Sequence, residues 1–231
     1  MFGLGGPRRP KMVAFDVIGT LFPLEPLRSS LMALGLPPAG LEGWFAAGCR
    51  DAFAMAVVGD FAPFAAVLEA ALDEVLAEQN LDPPEHERKA LVKQLETLDA
   101  RYGAREAFLL LADAGIPVMA LSNGAQSSSK ELLARADLSD LVQEIVSVDG
   151  VKLAKPRTEV YLHAAEQAGI EPAELALVAA HSWDVNGAAA AGLVTAYLAA
   201  DGPYSRAMRT PDMEADTLPQ LARRLAALKR Y

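Results

Sequence analysis

The stretch Val13-Ala14-Phe15-Asp16-Val17-Ile18-Gly19-Thr20-Leu21 decides how this chain is read. An unbroken apolar run suits a strand buried on both faces, and a carboxylate at the C-terminal end of a parallel strand stands where open α/β sheets bind ligands. Gly19 then allows a tight exit from the strand. A single Asp after a strand is equally a turn residue or a helix N-cap, so the role of Asp16 rests on what the rest of the chain brings beside it.

Downstream of Leu21 the pattern is helical until past residue 100. An alanine-rich segment over 41–58 is punctuated by Gly59-Asp60-Phe61-Ala62-Pro63. From Phe64 the residues Val67, Leu68, Ala71, Leu72, Val75 and Leu76 keep to one helical face, with Asn80 as the stop. A further helix opens at Asp82-Pro83-Pro84-Glu85 and carries Leu91, Leu95 and Leu98. Beyond Tyr102-Gly103 helices and strands alternate, the signature of a parallel sheet. Strands are expected over 117–121, 145–147, 175–180 and 194–198, with an amphipathic helix over 219–228 closing the chain. The expected architecture is therefore α/β. A Rossmann-like parallel sheet flanked by helices forms a core of 11–23 and 103–231, and an inserted all-helical cap occupies 24–102. The opening residues 1–10, with their glycines, prolines and two arginines, are expected to form a poorly ordered arm rather than a signal peptide.

Bulk properties narrow the function. The 231 residues, 52% hydrophobic, can bury a sizeable core without staples. A net charge of −9 with no basic patch argues against nucleic acid as a partner. No apolar window is long enough for a membrane span. The lone Cys49 excludes an intramolecular disulfide and most cysteine-based metal sites, so a soluble, cytoplasmic protein acting on a small molecule is expected.

Polar residues punctuate the ends of successive strands: Asp16 and Thr20, Ser122 and Asn123, Lys155 after the third, Asp184 after the fourth. In a doubly wound sheet these ends share one edge. An aspartate beside a lysine, a hydroxyl and a second aspartate suits covalent catalysis by a carboxylate: Asp16 attacks, and water then hydrolyses the ester. Lys155 would keep Asp16 ionised and receive developing negative charge. Thr20, Ser122 and Asn123 offer hydrogen bonds to the nucleophile or a substrate carboxylate. Asp184 could orient Lys155, position the hydrolytic water, or simply cap a helix.

The spacing Phe-Asp-x-x-Gly-Thr-Leu, Leu-Ser-Asn-Gly, Lys-Pro and Trp-Asp-x-x-Gly-Ala resembles the haloacid dehalogenase superfamily, specifically its (S)-2-haloacid dehalogenase type II branch. Ser147-Val148-Asp149 ahead of Lys155-Pro156, Tyr161, the Trp183-Asp184 pair and Thr210-Pro211-Asp212-x-Glu214 resemble that branch more than the superfamily's phosphatases. The resemblance implies that Asp16 displaces halide from the α-carbon of a small 2-haloalkanoate, with no metal or other cofactor, and that homodimers are common. It places Tyr161, Trp183 and Ile18 near the substrate.

Departures from the family pattern shape the alternatives. Superfamily phosphatases usually carry a general acid two residues after the nucleophile, where this chain has Ile18, and a Gly-Asp metal-ligand pair where it has Ala179-Ala180. A Mg²⁺-dependent phosphatase therefore loses both its acid and an oxygen ligand. Type II dehalogenases usually have Tyr at the position of Ile18, and a cap arginine that receives the halide where register on Trp44 and Gly59 places Phe45. Arg28 and Arg50 are the candidates to substitute for it, and Trp44, Phe45 and Phe64 would form an aromatic cradle. His181 replaces a family asparagine and either donates to substrate or merely packs and bonds to backbone. A non-catalytic binding protein of the same fold is the remaining alternative.

Overall fold

A computed structural model describes residues 6–230 and places one parallel sheet at the centre. Strands β1 (Met12–Asp16), β2 (Val118–Ser122), β3 (Glu144–Ser147), β4 (Leu175–Ala179), β5 (Val194–Leu198) and β6 (Met213–Ala215) lie in the order β3-β2-β1-β4-β5-β6. The chain builds outward from β1 on one side, then crosses back to lay β4 on the other. The carboxyl ends of β1 and β4 thus flank the point where strand order reverses, the ligand crevice of open α/β sheets.

Alternate side chains feed two apolar layers, as the twofold period of a strand requires. Val13, Phe15, Val118, Ala120, Ala176 and Val178 face helices α5 (Ala104–Asp113) and α9 (Leu218–Ala226), and α6 (Gln126–Arg135) lies on the same side. Ala14, Met119, Leu121, Leu175 and Leu177 face α7 (Thr158–Gln167) and α8 (Ser182–Ala191). Between β1 and α5 the chain forms only helices: α1 (Arg28–Ala33), α2 (Gly40–Val58), α3 (Phe64–Glu78) and α4 (Glu85–Lys93), with short 3-10 turns. The first apolar layer runs on into this segment through Leu21, Phe22, Phe64, Leu68 and Leu72.

Several elements differ from expectation. The last strand, β6, carries no apolar run; it pairs with β5 along the backbone, and just ahead of it Asp212 Oδ2 accepts from both Thr195 N (2.8 Å) and Thr195 Oγ1 (3.0 Å) on β5. Helix α4 ends at Lys93, so Leu95 sits in a 3-10 turn and Leu98 is extended, because the chain must return to the core, where Arg101 N donates to Leu21 O (2.7 Å). Part of the expected loose arm is fixed: Arg9 N donates to Lys229 O (2.9 Å) and Pro10 is buried, while residues 1–5 lie outside the described residues.

Candidate active site

Strand β1 ends on Asp16, and the chain turns at once. Gly19 adopts φ +86°, with its N–H bonded to Phe22 O at 2.8 Å. A Cβ on Gly19 would lie 2.3 Å from His181 Nε2, so both the turn and the close approach require glycine. This turn brings Thr20 back onto the carboxylate. Its Oγ1 donates to Asp16 Oδ2 (2.7 Å) and accepts from Ala180 N (2.9 Å), tying the ends of β1 and β4 together.

Lys155 follows β3 on a loop anchored by Asn123, whose Oδ1 accepts from Lys155 N (2.9 Å). The Lys155 ammonium is fully buried and spends its three protons on Asp16 Oδ1 (3.0 Å), Asp184 Oδ2 (2.9 Å) and Leu121 O (2.7 Å). Asp184, also buried, receives Tyr161 Oη on its other oxygen (2.6 Å). Tyr161 reaches it because Gly187 lets α8 approach α7; a Cβ there would stand 2.6 Å from Tyr161 Oη.

The electrostatics follow from burial. Desolvation pulls the Lys155 ammonium toward neutrality, but Asp16 and Asp184 outweigh it and its pKa is raised. Desolvation lifts the Asp184 carboxyl above its ordinary value; Lys155 opposes that without reversing it, and Asp16 adds to it. The Tyr161 hydroxyl, buried beside Asp184, is pushed well above the usual phenol value and stays a donor.

Asp16, Thr20, Ser122, Asn123, Lys155 and Asp184 thus meet as expected, at the carboxyl edge of the sheet. Ser122 Oγ is occupied by Gly124 N (2.9 Å). Asn123 Nδ2 is, among the described residues, the one buried side-chain polar atom with no hydrogen-bond partner. His181 stacks on Trp183 (centroids 5.2 Å, 8°), packs on Phe45 (5.2 Å) and sits 3.2 Å from Ile18 O and 3.8 Å from Asp16 Oδ2. His181 thus packs and contacts backbone, and it does so beside the Asp16 carboxylate. Phe64 meets Phe45 edge-on at 6.4 Å and, with Ile18 and Ser122, lines a cavity of about 400 Å³.

Other expectations are corrected. Trp44 belongs to the α2/α3 core, fully buried with Nε1 on Leu68 O (2.8 Å), and is not part of the cradle. Tyr161 lies behind Asp184 rather than against the substrate space. Asp184 is not the N-cap of α8; His181 holds that position. Arg28 pairs with Glu25 and Glu42, and Arg50 with Asp51 and Glu74, all on the surface, so neither supplies a cation to the site. Sequence reasoning missed Arg101, which donates to Thr20 O (2.8 Å) and Gly19 O (3.0 Å) and pairs with Asp201, bracing the turn after Asp16. No motif marks it; its only signal is its place where the helical segment rejoins the sheet.

Mg²⁺, which the superfamily's phosphatases use, does not fit this residue set. A hard octahedral ion gathers several oxygen ligands, yet this edge of the sheet offers it only Asp16 and Asp184, and the Lys155 ammonium already stands between those two carboxylates. Among the described residues no group of three His, Cys, Asp or Glu side chains could hold a metal ion. Nor, among them, is any helix long and apolar enough to cross a membrane.

Comparison with known proteins agrees with this geometry. The (S)-2-haloacid dehalogenase of Xanthobacter autotrophicus is 29% identical over 192 residues, covering 82% of this chain and 75% of that one. The structure of L-2-haloacid dehalogenase from the same organism superposes with a TM-score of 0.86 at 24% identity, covering 94% of this chain and 99% of that one. The form of that enzyme with chloropropionic acid covalently bound gives 0.85 at 24%, with the same coverage. The family model for haloacid dehalogenase-like hydrolases spans residues 10–192, from the strand that bears Asp16 to the end of the helix that bears Asp184. The chain belongs to the haloacid dehalogenase-like hydrolase family.

Proposed function

We propose that the protein is a metal-independent 2-haloacid dehalogenase. The observation that carries this reading is the ammonium of Lys155 bridging Asp16 and Asp184, with Thr20 on the remaining Asp16 oxygen. That arrangement holds Asp16 an oriented carboxylate with an ammonium where a divalent ion would have to compete, while Ile18 offers no proton to a leaving alkoxide. Displacing halide from carbon needs neither. The Asp16 carboxylate attacks C2 of the substrate, and the carbon–halogen bond breaks with its electron pair leaving on the halide. Water then adds to the Asp16 ester carbonyl, the 2-hydroxy acid departs, the carboxylate is restored, and one proton passes to solvent. Lys155 holds the charge that develops on the Asp16 oxygen during ester hydrolysis. Both Asp184 oxygens are engaged, which favours its orienting Lys155 over its acting as the water's base. The relative with chloropropionic acid covalently bound is a precedent for the covalent step.

Residues 24–102 act in this reading as a cap over a core of 11–23 and 103–231. Asn123, Phe45, Phe64, His181, Trp183 and Ile18 face the substrate. A cytoplasmic homodimer is the expected form, checked by sedimentation. The functional test is halide release from chloro-, bromo- and fluoroacetate and both enantiomers of 2-chloropropionate, with EDTA or with Mg²⁺. Release is expected to be the same under both conditions. Silence across the panel, with Mg²⁺-dependent hydrolysis of an aryl phosphate, would point to the phosphatase instead.

A further inference from the structure

Two recesses adjoin the site, and Phe64 borders both. The one reached by Asn123, between Phe61, Val67 and Ala154, holds about 10 Å³. That is barely one water and leaves no room for an alkyl chain. The other holds about 400 Å³. It begins at Ile18 and Ser122, both just past the Asp16–Leu121 pair of the β1/β2 ladder, and runs outward between α3, α4 and α6. Its lining includes the apolar side chains Ile18, Phe64, Leu68, Val92, Leu95 and Leu132, with Ser122, Ser128 and Ser129 between them.

A haloacetate has five heavy atoms, whereas a space of 400 Å³ accommodates roughly a dozen water-sized groups at about 30 Å³ each. Charge enters the lining as Glu69, Glu96 and Asp149 together with the exposed Lys89 and Lys93, and Lys89 is held by Glu85 at 2.6 Å. The carboxylates of the lining outnumber its lysines, and neither lysine is buried, so a second carboxylate on the substrate is disfavoured there and the occupant is an uncharged tail.

From this we infer that the larger cavity seats the side chain of the substrate, and that the enzyme prefers 2-haloalkanoates of about six to eight carbons over haloacetates. The inference rests on the reading of Asp16 as nucleophile towards carbon. It makes Ile18 and the α3, α4 and α6 walls the determinants of chain length.

The test is a series of 2-bromoalkanoates from propionate to octanoate, assayed for halide. Binding of the matching unhalogenated acids is measured by calorimetry in parallel. Both are done on wild type and on Ala65→Trp and Ser128→Phe, which add bulk from α3 and α6, with melting curves to verify folding. Burial of each methylene should raise kcat/KM and binding about four-fold, so that hexanoate exceeds propionate by about 60-fold. Either variant should cut that ratio ten-fold or more. Halide release that is flat or falls with length, with acids binding alike, overturns the inference and leaves the nucleophile reading standing. No halide from any substrate, with acids still binding by chain length and sensitive to the two variants, supports the subsite and sinks the nucleophile reading. Absence of both overturns both.

Discussion

Asp16→Asn is expected to abolish halide release, lowering kcat by at least about 10⁴-fold, the scale on which removal of a covalent nucleophile acts. The amide is nearly isosteric with the carboxylate but has no anionic oxygen to attack carbon. Its Oδ1 can still accept from Lys155. Its Nδ2 would face Thr20 Oγ1, an oxygen that already accepts from Ala180 N, so the hydroxyl need only turn its proton away. The fold should therefore survive, and the melting temperature should move little beside the loss of activity. Halide release and a thermal melt on the same preparation check both halves. A variant that folds and keeps a tenth of wild-type activity would remove Asp16 from the chemistry.

Lys155→Met should be costly in a different way. The ammonium is fully buried and is the shared partner of two carboxylates, with Asp184 fully buried as well. Removing it leaves Asp16 and Asp184 facing each other without compensation, and breaking a buried pair in this manner costs about 3–5 kcal/mol of stability. Activity should fall at least about 10³-fold, because the charge that orients Asp16 and stabilises the ester-hydrolysis oxyanion is gone. Lys155→Arg should rescue neither, since a planar fork does not fit a slot built for three tetrahedral donors. The sign with pH follows from the raised Lys155 pKa. The stability it contributes is fully present below the ordinary lysine value of about 10.4, and is lost as pH rises through the higher folded value. Denaturant titrations of both proteins at neutral and alkaline pH measure this; equal stability throughout would contradict it.

Much of this site was legible because strand ends are legible. Buried parallel strands are continuous apolar runs, and a polar residue at the end of each one stands out against them. Asp16, Ser122 and Asn123 were visible in that way, and Thr20, Lys155 and Asp184 as polar residues in the segments that follow those strands. What was not legible depends on which helical face meets which neighbour. Trp44 and Phe45 are adjacent on α2, so their side chains point about 100° apart and cannot both face the substrate. Phe45 does, packing on His181 and Phe64, whereas Trp44 turns to Leu68 O. Tyr161 points behind the sheet edge for the same kind of reason, a choice made by the α7/α8 contact at Gly187. Strand β6 is only three residues long, Met213-Glu214-Ala215, too short for its alternation to stand out, and the bonds between Thr195 and Asp212 fix its start beside β5. Arg101 acts through two carbonyls of a distant loop, a contact that local sequence cannot announce.

The most direct test of the account is a single turnover in H₂¹⁸O with enzyme in excess over a 2-haloalkanoate, followed by mass analysis of product and of the peptide bearing Asp16. Attack by Asp16 predicts a 2-hydroxy acid whose hydroxyl carries ¹⁶O, with ¹⁸O appearing in the Asp16 carboxylate. A product labelled in its first turnover, with Asp16 unlabelled, would mean that water attacks carbon directly and would contradict the account.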